Sequence, residues 1–179
     1  MPQKVATAIG KMSESLMGAE YEPICYLGSQ VVNGTNHAVL CEQTIITGRD
    51  TKNIVVVVFN EKPNEMELTL VRIDTIVEGG LPMGGTAIDV KTDIPDDAKA
   101  IWEDAFDGMV GSNVEPFALL GTQVVNGVNY IFGAVLTPVV ADPMSKAVVV
   151  TINEKSGTVK FADMLVSKQG GSLGYAFTW

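Results

Sequence analysis

The strongest constraint on this chain is that it repeats itself. Gln30-Val31-Val32-Asn33-Gly34 recurs as Gln123-Val124-Val125-Asn126-Gly127, 93 residues on. The same offset pairs Pro2 with Pro95, Gly18 with Gly111, Glu22-Pro23 with Glu115-Pro116 and Leu27-Gly28 with Leu120-Gly121. It runs without a gap to Asn60-Glu61-Lys62 and Asn153-Glu154-Lys155. Beyond that the second copy is two residues shorter at a turn, Pro63-Asn64-Glu65-Met66 against Ser156-Gly157. The offset then becomes 91 and pairs Leu68 with Val159, Leu70 with Phe161, Gly79-Gly80 with Gly170-Gly171 and Ile88 with Trp179. A repeat of this length predicts two like modules rather than one continuous fold. The expected boundary lies near residue 88, giving modules 1–88 and 89–179.

Each copy opens on a helical pattern. Val5, Ala8, Ile9, Met12 and Leu16 follow the spacing of one helix face, as do Ala98, Ile101, Trp102, Ala105 and Met109. Pro2 and Pro95 suit the first helical turn, and Asp96 and Asp97 suit the positive end of the helix dipole. Gly18 and Gly111 suit helix C-termini. Extended segments follow at 21–32, 35–46, 53–60 and 67–77, then at 114–125, 128–140, 146–153 and 158–167. Asn33-Gly34 and Asn126-Gly127 are hairpin signals, and a type I′ turn is the expectation. The fold class is therefore α+β, with one helix on a four-stranded antiparallel sheet in each module.

These features resemble the cystatin and stefin superfamily, whose members carry a Gln-Val-Val-Ala-Gly hairpin after a long helix. Asn replaces Ala in both copies here. Thr35-Asn36-His37 and Val128-Asn129-Tyr130 resemble the stefin Thr-Asn-Tyr that follows. Residues 57–63, Val-Val-Phe-Asn-Glu-Lys-Pro, resemble the strand and second hairpin, and Glu67-Leu68-Thr69-Leu70 the last strand. The resemblance implies reversible inhibition of papain-like cysteine proteases by a wedge of three pieces: a glycine-bearing trunk, the Gln-Val-Val hairpin and a second hairpin. On that reading Gln30, Val31, Val32, Asn33 and Gly34, with Gln123, Val124, Val125, Asn126 and Gly127, contact the protease. Gly79, Gly80 and Pro63 supply secondary contacts. The departures are specific. The first copy has no trunk before Pro2, and Gly79-Gly80-Leu81-Pro82-Met83 is either a trunk for the second copy or a module tail. Ser156-Gly157 stands where the family has a second-hairpin proline. The alternative function is a non-inhibitory cystatin-like binding or assembly module.

Composition narrows the other classes. The formal net charge is −9, with six basic and nine acidic residues in 1–77 and six and twelve in 78–179. Such a balance repels nucleic acid and anionic lipid, and no apolar run approaches the roughly 20 residues of a membrane span. No cofactor is expected, and a single histidine without a Cys-x-x-Cys gives no metal site. Cys25 and Cys41 have Ala118 and Ala134 as counterparts, which favours free thiols over a framework disulfide, though their placement about the hairpin also admits a bridge. Cys25 and His37 flank one hairpin, but the second copy has Ala118 and Tyr130 there, so no catalytic residue and no enzyme is expected; His37 reads as an exposed strand residue. Asn33-Gly34-Thr35 fits a glycosylation sequon, and Asn126-Gly127-Val128 does not. The start, Met1-Pro2-Gln3-Lys4, lacks a signal-peptide pattern, which is read as cytoplasmic if Met1 is the native start and secreted only if a signal peptide was removed. The apolar end, Tyr175-Ala176-Phe177-Thr178-Trp179, is expected to dock, as an edge strand or across an interface between modules.

Overall fold

A computed structural model describes residues 1–46, 51–80 and 85–165. The expectations for Leu81-Pro82-Met83, Gly170-Gly171 and residues 175–179 fall on residues outside those described. The chain divides into two compact units, one Met1–Gly79 and the other beginning at Gly80.

The first unit begins with helix α1 (Gln3–Ser15) and continues with β1 (Ala19–Val32), β2 (Gly34–Ile45), β3 (Thr51–Glu61) and β4 (Thr69–Glu78). Its sheet has the order β1-β2-β3-β4, and every pairing is antiparallel. Pro2 sits at the N-cap, and its carbonyl accepts from the amides of Val5 and Ala6. Val5, Ile9 and Met12 bury the helix stripe on Val39, Cys41, Val55, Val57 and Phe59. Leu16, expected on that stripe, is the C-cap residue and is exposed, because the helix ends one residue earlier. Ile54, Val56 and Val58, which alternate onto the other face of β3, are buried as well. That explains the unbroken apolar run, which a strand wet on one face would not need.

The second unit contains β5 (Thr86–Lys91), α2 (Asp96–Phe106), β6 (Ser112–Val125), β7 (Gly127–Pro138), β8 (Lys146–Asn153) and β9 (Val159–Asp163). Its sheet is antiparallel, of order β5-β6-β7-β8-β9. Ala98 and Trp102 of α2, with Ile94 before it, pack on Leu119, Phe132, Ala134, Val148, Val150 and Ile152. Trp102 keeps only 7% of its surface exposed and stacks on Phe106 at 4.4 Å. Met109 lies beyond the helix end and is exposed, so the stripe stops short of it.

One expectation is corrected here. The second sheet has five strands, not four, because residues 86–91 pair with β6 before the helix begins. Residue 88, near which the boundary is expected, lies within β5. The repeat itself extends to strand register. Each paired position of β1 and β2, from Ala19 with Ile45 to Val32 with Gly34, has its counterpart 93 residues on, from Ser112 with Pro138 to Val125 with Gly127. The two bulges recur as well, between Pro23 and Cys25 and between Tyr26 and Gly28 in one copy, Pro116 and Ala118 and Leu119 and Gly121 in the other.

Candidate functional site: the hairpin ends of the two sheets

Both hairpins depart from the expected turn. Val32 pairs with Gly34 and Val31 with Thr35, which leaves Asn33 alone at the apex. Gly34 has φ 96° and Gly127 φ 92°, while Asn33 and Asn126 are not left-handed. A type I′ turn needs positive φ at both central residues, so this is a tighter turn in which only the glycine takes that conformation. Space enforces the same choice. A Cβ on Gly34 would run into the carbonyl oxygen of Glu61, and one on Gly127 would lie 2.8 Å from Lys155 Cβ.

An asparagine from the third strand fixes each apex. Asn60 Nδ2 donates to Asn36 Oδ1 at 2.8 Å and to the Asn33 carbonyl at 3.4 Å. Asn153 Nδ2 makes the same two bonds, to Asn129 Oδ1 and the Asn126 carbonyl, at the same distances. In the second unit Asn129 also donates to Gln123 Oε1, and Lys155 Nζ to Asn126 Oδ1. The backbone is thus held from below, while the valines point into water. Val31 is 85% exposed and Val124 69%; Val32 and Val125 are each nearly half exposed.

The second turns lie beside the hairpins. Pro63 belongs to a turn after β3 in which the Glu65 amide donates to the Lys62 carbonyl and Asn64 takes φ 67°. A cleft of about 790 Å³ separates this turn from Val31 and Val32, with Lys4 and Glu61 on its wall. In the second unit the turn closes from the Gly157 amide to the Asn153 carbonyl, and a cleft of about 560 Å³ runs between Val125 and Lys155.

The two glycines read as a trunk part company. The Gly79 amide donates to Asn53 Oδ1, and Asn53 pairs with Glu78 at the end of β3 away from the first hairpin. The Gly80 amide donates to the Thr86 carbonyl, and Thr86 pairs with Gln123. Gly80 is thereby bonded to the strand that runs beside the second hairpin, and Gly79 to the end of β3 away from the first.

His37 is buried, contrary to its expected exposure. Its Nε2 donates to Glu61 Oε2 at 3.1 Å, since a carboxylate only accepts, and its Nδ1 lies 2.8 Å from the Tyr26 hydroxyl. Lys4 completes the chain with a 2.5 Å bond to Glu61 Oε1. These bonds, Lys4 first and His37 second, hold the Glu61 carboxyl below its ordinary value. The chain ties α1 to the strands beneath the first hairpin. The second copy places Asp97, Leu119, Tyr130 and Glu154 at these positions, and there burial first, then the charges of Glu154 and Asp97, raises the Tyr130 hydroxyl. Both cysteines are free, and burial pushes each thiol up to about 12. His37 spends both ring nitrogens on Tyr26 and Glu61 rather than on Cys25.

Among the described residues, no group of three or more metal-ligating side chains occurs, and no helix is long and apolar enough to cross a membrane. No protein-family model matches the chain, and no curated protein matches it.

Proposed function

We propose that the chain is a tandem cystatin-like protein that inhibits papain-like cysteine proteases reversibly through its two hairpin ends. The observation that carries this reading is the pair of exposed Val-Val tips, each locked by the same asparagine bonds. A turn needs its glycine but has no need of two β-branched apolar residues beside it. Burying a valine is worth about 1.5–3 kcal/mol, and a tip already rigid loses little entropy on entering a cleft. The hairpin offers shape and apolar surface without presenting a bond for cleavage. The second end is the more complete, with Gly80, the hairpin and the second turn together; the first has Pro63 but no trunk glycine.

The test is inhibition of papain followed by rapid dilution. Full recovery of activity, with the protease thiol unmodified by mass, is expected; lasting inactivation or a modified thiol would refute this mechanism.

A second reading, a non-inhibitory binding or assembly module, is favoured by apolar residues at the other end of each sheet. Met17 and Ile46, and their counterparts Val110 and Val139, are exposed. If assembly is the function, Val110→Asp with Val139→Asp changes the sedimentation coefficient of the protein; an unchanged value removes this reading.

A further inference from the structure

The two units differ in how the space between the helix and the last strand is filled. In the second unit Phe106 of α2 meets Phe161 of β9, ring centroids 6.1 Å apart, and stacks on Trp102 at 4.4 Å. The equivalent of Phe106 in the first unit is Ser13, which turns toward the other edge of the sheet. Its hydroxyl donates to the Tyr21 carbonyl on β1 at 3.5 Å. Ala8 stands where the second unit has Ile101, and Leu70 where it has Phe161. The side chains that fill this side of the second unit are thus smaller in the first. A groove of about 530 Å³ is left there, between α1 and the residues 66–70 that lead into β4.

Met12, Phe59 and Leu68 floor the groove, and Leu16, Met66 and Leu70 edge it. Met12 and Phe59 are buried and Leu68 is half-buried, while Leu70 is 38% and Met66 92% exposed. The volume falls within the range of about 300–1,000 Å³ in which small molecules are held. On the floor the first unit is the bulkier, with Met12 and Phe59 where the second has Ala105 and Ile152. A thioether and a phenyl ring both gain most from an aromatic neighbour. The rim is balanced in charge. Lys4 bonds to Glu61 and Lys11 to Glu67, each at 2.5 Å. Two ammonium groups beside two carboxylates select neither an anion nor a cation. The Lys11–Glu67 pair also joins the helix to the opposite wall. A crossing pair leaves room for a ring to enter beside it, and obstructs a peptide laid along the groove.

We propose that the groove between α1 and residues 66–70 binds a small uncharged aromatic molecule, its ring seated on Met12, Phe59 and Leu68. The ring takes the place that Ile101 and Phe161 fill from within in the second unit. Val31 and Val32 line a different cleft, the one beside the Pro63 turn. The site is therefore separate from the hairpin tips.

The test titrates the full chain with indole and follows the methyl signals of Met12, Met66, Leu68 and Leu70 by NMR. These should shift saturably, with Kd at or below about 1 mM, while those of Val31, Val32 and the second unit stay in place; for so small a ligand that affinity lies within known limits per atom. Cyclooctanol, an aliphatic of equal heavy-atom count, should bind at least about threefold more weakly, the margin an aromatic contact adds. Ala8→Ile with Leu70→Phe carries the second unit's residues into the groove and should weaken indole binding at least about tenfold, since the space is then filled. Leu70→Trp, at a half-exposed position, fills the groove without entering the core and should do the same. Circular dichroism confirms that each variant is folded. Absence of saturable shifts, shifts spread over both units, or folded filled variants that bind as the native chain does would overturn the proposal. So would cyclooctanol binding as tightly as indole, which removes the aromatic class. N-acetyltryptophanamide binding more than about tenfold tighter than indole would overturn it too, because the occupant would then be a protein segment.

Discussion

At the residue scale, the hairpin apex depends on one glycine and one asparagine in each unit. Gly34 is set by its positive φ and by the carbonyl oxygen of Glu61 above it. Gly34→Ala should cost about 2 kcal/mol in urea unfolding, since a left-handed conformation alone costs an L-residue about 1–2 kcal/mol. The apex was legible in sequence because Val-Val-Asn-Gly is contiguous and occurs twice. The turn type was not, because the choice between turns depends on Asn60 and Glu61, which arrive from another strand. His37 was misread for the same reason. Its partners Tyr26 and Glu61 lie 11 and 24 residues away, and only strand pairing brings them together. Glu61 also makes a prediction about pH. Its carboxyl titrates lower in the folded chain than unfolded, so its contribution is present above the unfolded value of about 4.3 and is lost as pH falls through the folded one. The difference in melting temperature between the native protein and Glu61→Gln should be full above about pH 5 and close on acidification. A difference independent of pH would show that the carboxylate bonds to Lys4 and His37 contribute no charge-dependent stability.

At the element scale, periodicity located both helices, and the Val55–Val58 run located the third strand. Strand β5 escaped because it stands before the second helix, where the 93-residue offset gives it no counterpart to compare. The helix faces were legible where the apolar spacing continued and failed at Leu16 and Met109, where the helix had already ended. Trp102 tests the face directly. It occupies the position of Ile9, packs edge-on against Phe132 at 5.0 Å and stacks on Phe106. Trp102→Ala should destabilise the second unit by roughly 3–5 kcal/mol. A change under about 1 kcal/mol in denaturant titration would mean that α2 does not rely on this side chain for its seat on the sheet.

At the scale of the whole molecule, the chain offers two exposed apolar tips of identical sequence core on an acidic protein. Binding through such tips should depend little on salt, because the contact is apolar rather than charged. On the proposed reading the first end lacks a trunk glycine and the second has its second turn without the family's proline, so affinity should fall below that of a full wedge, since a few well-packed anchors rather than area set it. The most direct measurement is a titration of papain with a fluorogenic substrate, run with the native protein and with Val31→Asp/Val32→Asp, Val124→Asp/Val125→Asp and all four together. The native protein should inhibit reversibly. Loss should be larger for the second hairpin pair than for the first, and complete for the fourfold variant, whose circular dichroism should stay native because the tips lie outside both cores. A carboxylate pair carried into a desolvated cleft has no partner there. A native protein that leaves papain and related proteases uninhibited at high micromolar concentration, or a fourfold variant that inhibits as well as the native chain, would contradict the account.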